Sequence, residues 1–463
     1  MNSKMLVIAS IAVIALFAGT LFVFMHLWGG LISNYTELAA ATGRRWGINC
    51  ASCAPIDSLK TPTISEQTIL SLKNSYIAEK KKFVLVDLRA MTLTLYGENG
   101  TSTEFKVLTK GRDGSWWETP SGNYSVVTKE TNHFSSVGKV WQPWSIQFYG
   151  NFFIHGWPYY PGGSPVPQGY SGGCIRLGTD DAKKVFDFAE RGTPVLVLDD
   201  KDAAKLTPPP LGFVKNVSVP DLSGSVALVM DLSRGDALLG KASDEPVPIA
   251  SLTKLMTAVV ASELIYLERL VTITQTMLAA PIQSFHFNVG DRYVAFDLFY
   301  PLLMESSNGA AAALASFIGE KNFVDNMNTK AVSLGMRDTV FADPAGMGDQ
   351  NVSSAKDLIK LVRYILDKRF FIFDITRGKN YLNFGPLRLG NLKNFNEFAE
   401  KDNLIGMKNG ETAAAGQTIL SVWRLKDSEN IERNVAVVVL GSDNRVQDTD
   451  RILNWLNEAF GLK

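Results

Sequence analysis

Ile154-His155-Gly156 opens a stretch of sequence that ends, after a loop, in Tyr170-Ser171-Gly172-Gly173-Cys174-Ile175-Arg176-Leu177. This stretch combines one histidine with one cysteine in a glycine-lined turn. Glycines beside a nucleophile allow backbone N–H groups to face a developing oxyanion, and a nearby imidazole can hold a thiol as thiolate. A single His and Cys in one loop are often coincidental, so the sequence around them must decide whether they are catalytic.

The whole string resembles the signature of the L,D-transpeptidase (YkuD-like) catalytic domain, which is a His-Gly, a loop and then Ser-x-Gly-Cys-Ile-Arg. The similarity extends from Phe83 to Leu198 and includes the turn Thr119–Gly122. The resemblance implies that Cys174 attacks the carbonyl of the third residue of a peptidoglycan stem peptide and expels the fourth, a D-alanine. His155 would be its base and would keep the thiol as thiolate.

One position departs from the family pattern. Many members carry a second His directly after the Ser, and this chain has Gly172 there, so the base role falls on His155 alone. The resemblance implies that Ser171, Gly172 and Gly173 bind substrate and hold the oxyanion. Arg176 follows the loop directly and could pair with a substrate carboxylate or fix the loop in place.

Composition limits the remaining possibilities. A chain of 463 residues is too long for one ordinary core and suggests two or three domains. Lys plus Arg equals Asp plus Glu, at 46 each, so no bulk charge attracts nucleic acid. Cys50 and Cys53 form a C-x-x-C that we interpret as a small disulfide or plain thiols, leaving Cys174 free. With only four histidines and no second Cys pair, we expect no metal and no cofactor.

The amino terminus predicts a membrane anchor. Met5–Met25 carries no charged residue and is long enough to cross a bilayer as a helix. No convincing cleavage site follows it, so we predict an uncleaved single-pass anchor within residues 1–30. A polar linker over residues 31–81 contains one predicted helix near Ile64–Lys80.

Residues 82–200 predict a β-rich domain. Asn99-Gly100 gives a hairpin signal, and Ile146–Ile154 reads as a second hairpin that ends on His155. The domain closes with a predicted helix at Asp180–Glu190 and a strand at Val195–Leu198.

A Pro-rich linker over residues 201–222, stiffened by Thr207–Pro210, leads into a second domain over residues 223–463. Its pattern of an early strand, helices, then strands and a last helix predicts an α/β layer fold. Strands are predicted at Val226–Met230, Gly416–Trp423 and Asn434–Leu440, and helices from Pro248 to Leu264 and at Ala310–Ile318, Phe323–Leu334, Lys356–Leu366 and Thr449–Phe460.

A second set of candidate catalytic residues lies in this domain. Ser251 and Lys254 stand at i and i+3 on one helical turn, where a desolvated amine can take the serine proton. Ser306-Ser307-Asn308 and Lys408-Asn409-Gly410 follow in order. The trio resembles the S-x-x-K, S-x-N and K-T-G motifs of penicillin-binding proteins and serine β-lactamases. The surrounding sequence is similar specifically to the D-alanyl-D-alanine carboxypeptidase family.

The resemblance implies a role for each of these residues. Ser251 would be the nucleophile and Lys254 its base. Ser306 and Asn308 would relay protons and orient substrate, and Lys408 would bind the terminal carboxylate.

Asn409 and Gly410 complete the predicted substrate-binding set. Asn409 stands where the family has Thr, and its amide could donate to the carboxylate in place of the hydroxyl or could crowd it. A class A β-lactamase would need a deacylating Glu followed closely by an Asn, and no convincing candidate lies between Asn308 and Lys408. Carboxypeptidase is therefore favoured, with DD-endopeptidase activity as an alternative at this site.

The sequence thus predicts a multidomain, bifunctional peptidoglycan-modifying enzyme with a transmembrane helix, a β-rich L,D-transpeptidase domain and an α/β penicillin-binding-protein-like domain. Ser251 would trim pentapeptide stems to tetrapeptides, and Cys174 would use those tetrapeptides, while the linker keeps the domains apart at high effective concentration. Stem peptides are the expected partners and β-lactams the expected inhibitors. Because peptidoglycan lies outside the cytoplasmic membrane, we expect both domains to be extracytoplasmic. The alternative is a wall-binding scaffold with one or both sites inactive.

Overall fold

The computed structural model describes residues 66–199, 208–279, 287–380 and 389–463. The predicted anchor at Met5–Met25 and the pair Cys50 and Cys53 lie outside these ranges. Within the ranges, no helix combines the length and the apolar composition that a membrane crossing requires.

The first domain (residues 66–199) begins with helix α1 (Glu66–Ala78) and a five-stranded sheet. The strands of this sheet are β1 (Phe83–Asp87), β2 (Thr92–Tyr96), β3 (Ser102–Lys106), β4 (Gly122–Ser125) and β9 (Pro194–Leu198). Their order is β3-β2-β1-β9-β4, with β1 and β9 parallel and the other pairs antiparallel. Helix α1 covers one face, where Ile69 packs with Phe83 and Leu196.

A second sheet of the first domain positions the cysteine. It has the order β5 (Thr128–Ser135), β6 (Val140–Tyr149), β7 (Phe152–His155) and β8 (Ile175–Arg176), and helix α2 (Thr179–Phe188) follows it. Strands β7 and β8 are parallel and pair His155 with Arg176. The structure confirms both predicted hairpins, and the second one turns at Gly150-Asn151. His155 therefore ends one strand, and Cys174 immediately precedes the neighbouring strand.

The second domain (residues 208–463) is built on an antiparallel sheet of order β11-β10-β18-β17-β16. These strands are β10 (Val226–Asp231), β11 (Asp236–Lys241), β16 (Leu404–Thr412), β17 (Gly416–Lys426) and β18 (Glu432–Ser442). Two short pairs join β12 (Val247–Pro248) to β15 (Val352–Ser353) and β13 (Leu270–Thr272) to β14 (Arg292–Val294). The helices are α3 (Thr253–Leu264), α4 (Phe299–Leu303), α5 (Asn308–Ser316), α6 (Glu320–Ser333), α7 (Ala355–Lys368), α8 (Phe371–Thr376) and α9 (Arg445–Phe460).

Strand β18 shows why this domain is layered. Successive side chains of a strand point to opposite faces of its sheet, and here both faces are buried. Val437 packs toward α9, near Trp455, whereas Val438 packs toward the helices of the opposite face, including Leu358. The predicted α/β layer fold is confirmed, as are the strands and helices predicted in this domain, with shifted bounds. Strands β11 and β16 were not predicted.

The two domains are in direct contact, which the sequence did not predict. The buried Lys368 of the second domain pairs with Glu118 and Asp199 of the first domain. Charged groups that are buried together in this way must stay paired, because separating them leaves an uncompensated charge. The expectation that the linker keeps the domains apart is therefore wrong.

The described part of the linker, residues 208–222, packs on the second domain. The carbonyl of Pro208 accepts a hydrogen bond from Arg234, and that of Pro209 accepts one from the buried Arg433. The N–H of Val214 donates to a carbonyl of helix α9. This part of the chain is an extension of the second domain rather than a free tether.

Candidate active sites

Ser251 lies in a short 3-10 turn (Ala250–Leu252) that leads directly into α3. The Nζ of Lys254 lies 2.8 Å from Ser251 Oγ, 2.9 Å from Asn308 Oδ1 and 2.5 Å from the carbonyl oxygen of Ala345. Burial lowers the pKa of Lys254 well below its ordinary value, and the charge of Lys408 lowers it further. A buried amine with a lowered pKa and a hydrogen bond to a hydroxyl can act as a general base.

A loop after α6 supports this arrangement. The carboxylate of Asp343 accepts hydrogen bonds from the N–H groups of Ala345, Gly346 and Gly348. Gly346 has a φ of +77°, and a Cβ there would lie 2.0 Å from the carbonyl oxygen of Ala250. The loop therefore fits closely against the serine turn and presents a carbonyl to Lys254. Asp343 could not be predicted from the sequence, because a single Asp gives no pattern.

The segment Ser306-Ser307-Asn308 begins helix α5. Ser307 is the N-cap, and its Oγ accepts a hydrogen bond from the N–H of Ala310. The cap fixes Asn308 as the first helical residue, with its side-chain oxygen on Lys254. Ser306 has a φ of +58° and is partly exposed. Within the described residues, its hydroxyl makes no hydrogen bond to Ser251 or Lys254.

Lys408 and Gly410 lie on β16, the edge strand beside the serine turn. A Cβ at Gly410 would lie 2.7 Å from the backbone nitrogen of Ser251, so only glycine allows this approach. Lys408 is fully buried, and burial lowers its pKa to about 7. The charge of Arg445 lowers this pKa as well, and Glu397 opposes the shift.

The side chain of Asn409 is already occupied. Its Nδ2 donates to the carbonyl of Phe395 at 2.6 Å and to Glu397 Oε2 at 2.9 Å, and its Oδ1 accepts from Lys408 Nζ at 3.0 Å. The amide would have to break one of these bonds to donate to a substrate carboxylate. Of the two possibilities considered for Asn409, direct donation in place of a Thr hydroxyl is the one this geometry disfavours.

The cysteine turn uses its glycines in different ways. Gly173 has a φ of +105°, and a Cβ there would lie 2.3 Å from the ring of Phe152. Space is open around the exposed Gly172, where no atom lies within 4 Å of an added Cβ. Ser171 Oγ donates to the carbonyl of Cys174 at 2.5 Å and accepts from the N–H of Gly173 at 3.1 Å. Ser171 thus holds the turn closed from inside.

His155 and Cys174 are both buried and both neutral. The Nδ1 of His155 lies 2.6 Å from the carbonyl of Gly156, so Nδ1 carries the proton and Nε2 is the free acceptor. Nε2 has no hydrogen-bond partner in the described structure. Burial lowers the pKa of His155 to about 3 and raises the pKa of the Cys174 thiol.

This geometry differs from the expected thiolate–imidazolium pair. The thiol of Cys174 donates to the carbonyl of Asn151, with 3.7 Å between sulfur and oxygen, and not to His155. Desolvation disfavours both charged forms, which is why the pair is neutral in the resting protein. His155 can still act as a general base if the thiol turns from Asn151 toward the free Nε2.

Arg176 lies on β8, directly after the cysteine turn. Its guanidinium is 5.7 Å from the centre of the Trp157 ring, and its Nε has no hydrogen-bond partner among the described groups. Burial lowers the pKa of Arg176, and its positive charge opposes the rise in the pKa of the Cys174 thiol. The structure therefore places a buried positive charge directly beside the cysteine turn.

Comparison with known proteins agrees with this geometry. Residues 213–444, half of the chain, match the family model described as D-alanyl-D-alanine carboxypeptidase. The chain belongs to this family. Residues 81–197 match a second family model, the L,D-transpeptidase catalytic domain of the YkuD type. The chain therefore carries one domain of each kind, as predicted.

Individual relatives match the carboxypeptidase-family portion. A D-alanyl-D-alanine endopeptidase of Escherichia coli is 32% identical over 52% of this chain and 79% of its own length. An endopeptidase of the same name from Pseudomonas aeruginosa is 32% identical over 57% of this chain and 86% of its own. The D-alanyl-D-alanine carboxypeptidase DacD of Escherichia coli is 28% identical over 52% of this chain and 65% of its own.

Proposed function

We propose that the chain is a bifunctional peptidoglycan-modifying enzyme with a serine nucleophile in the second domain and a cysteine nucleophile in the first domain. The hydrogen bond of the buried Lys254 to both Ser251 and Asn308 carries this proposal. It supports an active serine enzyme over a wall-binding scaffold, because a scaffold needs no buried amine of lowered pKa beside a hydroxyl.

In the second domain, Lys254 takes the proton of Ser251, and Oγ attacks the carbonyl of the D-Ala-D-Ala bond of a pentapeptide stem. The terminal D-alanine leaves as an amine that takes up a proton, and water then hydrolyses the ester. Lys408 binds the terminal carboxylate, and Gly410 lets β16 approach the serine. Ser306 relays a proton after its hydroxyl turns toward Lys254, to which it makes no hydrogen bond in this structure. The product is a tetrapeptide stem.

In the first domain, the thiol proton of Cys174 passes to Nε2 of His155 as sulfur attacks the carbonyl of the third stem residue. The fourth residue, D-alanine, leaves with that proton, and a thioester remains. The amine of a second stem then attacks the thioester, the C–S bond breaks, and the amine proton passes through His155 back to the Cys174 sulfur as the 3–3 cross-link forms. The N–H groups of Ser171 and Gly173 already donate to the carbonyl of Lys110 and to Ser171 Oγ, so the N–H of Gly172 is the one that holds the oxyanion. Arg176 pairs with a substrate carboxylate.

Endopeptidase activity is the second candidate for the Ser251 site. Two relatives at 32% identity are named endopeptidases, against 28% for a carboxypeptidase. Hydrolysis of a cross-linking D-alanyl bond uses the same acyl-enzyme and differs in what occupies the leaving-group side.

Both domains act on a substrate outside the cytoplasmic membrane, so the proposal includes an extracytoplasmic location and an anchor within residues 1–30. The test is to incubate the full chain with purified muropeptides and identify the products by mass. We expect loss of one D-alanine from pentapeptides, abolished in Ser251→Ala, and 3–3 dimers from tetrapeptides, abolished in Cys174→Ala. Cleavage of cross-linked dimers without trimming of pentapeptides would select the endopeptidase. If no product depends on Ser251 or on Cys174, the wall-binding scaffold is the remaining alternative.

A further inference from the structure

Two segments of the first domain hold the cysteine turn from outside. One is the hairpin turn at Asn151, whose carbonyl accepts the thiol hydrogen bond of Cys174. The other is Thr119, whose Oγ1 donates to the carbonyl of Gly173 at 2.9 Å and accepts from the N–H of Gly111 at 2.9 Å. The position of the sulfur therefore depends on where these two segments lie.

The second domain holds the first of these segments. The side-chain Nδ2 of Asn151 donates to the carbonyl of Leu264 at 2.8 Å. Gly150 packs directly on the same residue, since a Cβ there would lie 2.1 Å from Leu264 Cδ2. Leu264 is the last residue of α3, the helix that starts beside Ser251. The Gly150-Asn151 turn, which contacts Cys174, thus packs on the last residue of α3, and α3 begins beside Ser251.

The second domain also holds the other segment. Glu118, which precedes Thr119, forms a buried ion pair with Lys368, at 2.9 Å between Nζ and Oε1. Its backbone carbonyl accepts from the guanidinium of Arg369 at 3.1 Å. Arg369 in turn pairs with Glu263, the neighbour of Leu264. The two contacts are therefore linked to each other within the second domain.

Tyrosines of the first domain complete this buried cluster. Lys330 pairs with Glu263 at 2.9 Å and donates to the hydroxyl of Tyr124 at 3.1 Å. Lys330 also lies 5.1 Å from the centre of the Tyr149 ring, near the end of β6. Buried charges of this kind are stable only while their partners remain in place. They hold the domains in one arrangement rather than in a range of arrangements.

We infer that Asn151 is a positioning residue for Cys174 and that the second domain completes the cysteine site by fixing Asn151 through the carbonyl of Leu264. The inference rests on the proposed role of Cys174 as nucleophile. It goes beyond that role, because it makes the geometry of one candidate active site depend on the domain that carries the other. Among the described residues, Arg176 on β8 carries the charge that acts on the thiol, and the titratable groups on the strands beside it are His155 on β7 and His133 on β5, whose charge acts on His155.

The test compares the thiol in two variants that separate the turn from the helix end. Asn151→Ala removes the side-chain donor to the carbonyl of Leu264. Gly150→Ala places a methyl group against the side chain of Leu264. In both we expect water to reach the sulfur, so the pH at which Cys174 is alkylated by iodoacetamide should fall toward that of an ordinary thiol. Formation of 3–3 dimers should drop by about 10²-fold, because the sulfur is misplaced. Peptide-resolved mass spectrometry separates Cys174 from Cys50 and Cys53.

The matched control is Asn326→Ala, which removes an amide whose Nδ2 donates within its own helix. It should leave the alkylation profile and dimer formation unchanged. Labelling of Ser251 by fluorescent penicillin, at the parent rate, shows that the variants are folded.

Three results would decide against the inference or separate it from the proposed function. An alkylation profile of Asn151→Ala identical to the parent overturns it, whether or not dimer formation falls. A shifted profile in Asn326→Ala of the same size also overturns it. If the profile shifts only in the two test variants but the parent chain forms no 3–3 dimers, the positioning role stands and the transpeptidase function fails.

Discussion

The Ser251 and Cys174 sites handle their nucleophiles in opposite ways. At the serine site Lys254, the proposed base, already contacts the hydroxyl and two further oxygen atoms. At the cysteine site the histidine has a free Nε2, and the thiol donates to a backbone carbonyl instead. Both bases are buried, and burial lowers the pKa of each. In the resting protein Ser251 and Lys254 are in hydrogen-bond contact, whereas the Cys174 thiol and the His155 imidazole are not.

This difference follows from what each nucleophile needs. A hydroxyl is a poor nucleophile and requires a base in contact, while a thiol ionises more easily and tolerates a looser arrangement. A neutral buried thiol is also protected from oxidation and alkylation until substrate arrives.

Removing the lysine should disable the serine site most severely. Lys254→Met keeps an apolar chain of similar length and removes the base, so labelling of Ser251 by fluorescent penicillin should slow by on the order of 10³-fold. Lys321→Met, which removes an exposed lysine paired with Asp325, is the control and should label at the parent rate. Parent-rate labelling of Lys254→Met would exclude it as the base.

Removing the histidine should have a smaller effect. His155→Gln should reduce formation of 3–3 dimers from tetrapeptides by about 10²-fold, since a thiol retains some reactivity without a contacting base. Lys183→Gln is the control, because the exposed Lys183 lies on α2 and pairs with Asp187. An equal loss in both variants would show that the imidazole of His155 has no special role.

The pH dependence of substrate binding should reveal Lys408. Its pKa of about 7 means that the free enzyme loses this charge as the pH rises through 7. If the charge of Lys408 is required to bind a free terminal carboxylate, kcat/KM for such a substrate should fall by about tenfold per pH unit above pH 7. Lys408→Arg stays charged and should lose this falling limb. A substrate with an amidated terminus provides the control, and a falling limb of the same size there would contradict the assignment.

Substituting the glycines of the cysteine turn should have the smallest effect, which is on thermal stability. In Gly173→Ala the alanine must adopt the positive φ that the turn requires, which costs about 1–2 kcal/mol. Its methyl group would also lie against Phe152. The thermal midpoint of this variant should fall by several degrees. Gly172→Ala, in open space, should melt with the parent. Equal midpoints for the two variants would show that the turn is not fixed as described.

Much of this molecule could be predicted from its sequence because the motifs are local. Ser251 and Lys254 share one helical turn, and the hairpin ending on His155 has its own alternating pattern. Strand β16 was missed because Lys408-Asn409-Gly410 interrupts the apolar pattern that identifies a strand. Its side chains are buried by contact with the serine turn, which periodicity does not reveal.

The contact between the domains could not be predicted for a different reason. Glu118, Glu263, Lys330 and Lys368 are charged residues, and such residues normally lie on a solvated surface. Each is buried here only because it forms an ion pair with a residue of opposite charge that is distant in the sequence. For the same reason Asn151, one polar residue in a hairpin turn, gave no sign of its contact with Leu264.

This contact changes how the order of the two reactions must be tested. Separated domains would expose buried charges and are a poor comparison, so the full chain has to be used. The central claim is that the tetrapeptide made at Ser251 is the donor used at Cys174.

The most direct measurement follows 3–3 dimers formed by full-length Ser251→Ala from two substrates, pentapeptide stems and preformed tetrapeptide stems. We predict dimers at the parent rate from tetrapeptides and none from pentapeptides, because only the preformed tetrapeptide bypasses the serine site. Cys174→Ala should form no dimers from either. Equal dimer formation by Ser251→Ala from both substrates would contradict the proposed order of the two reactions.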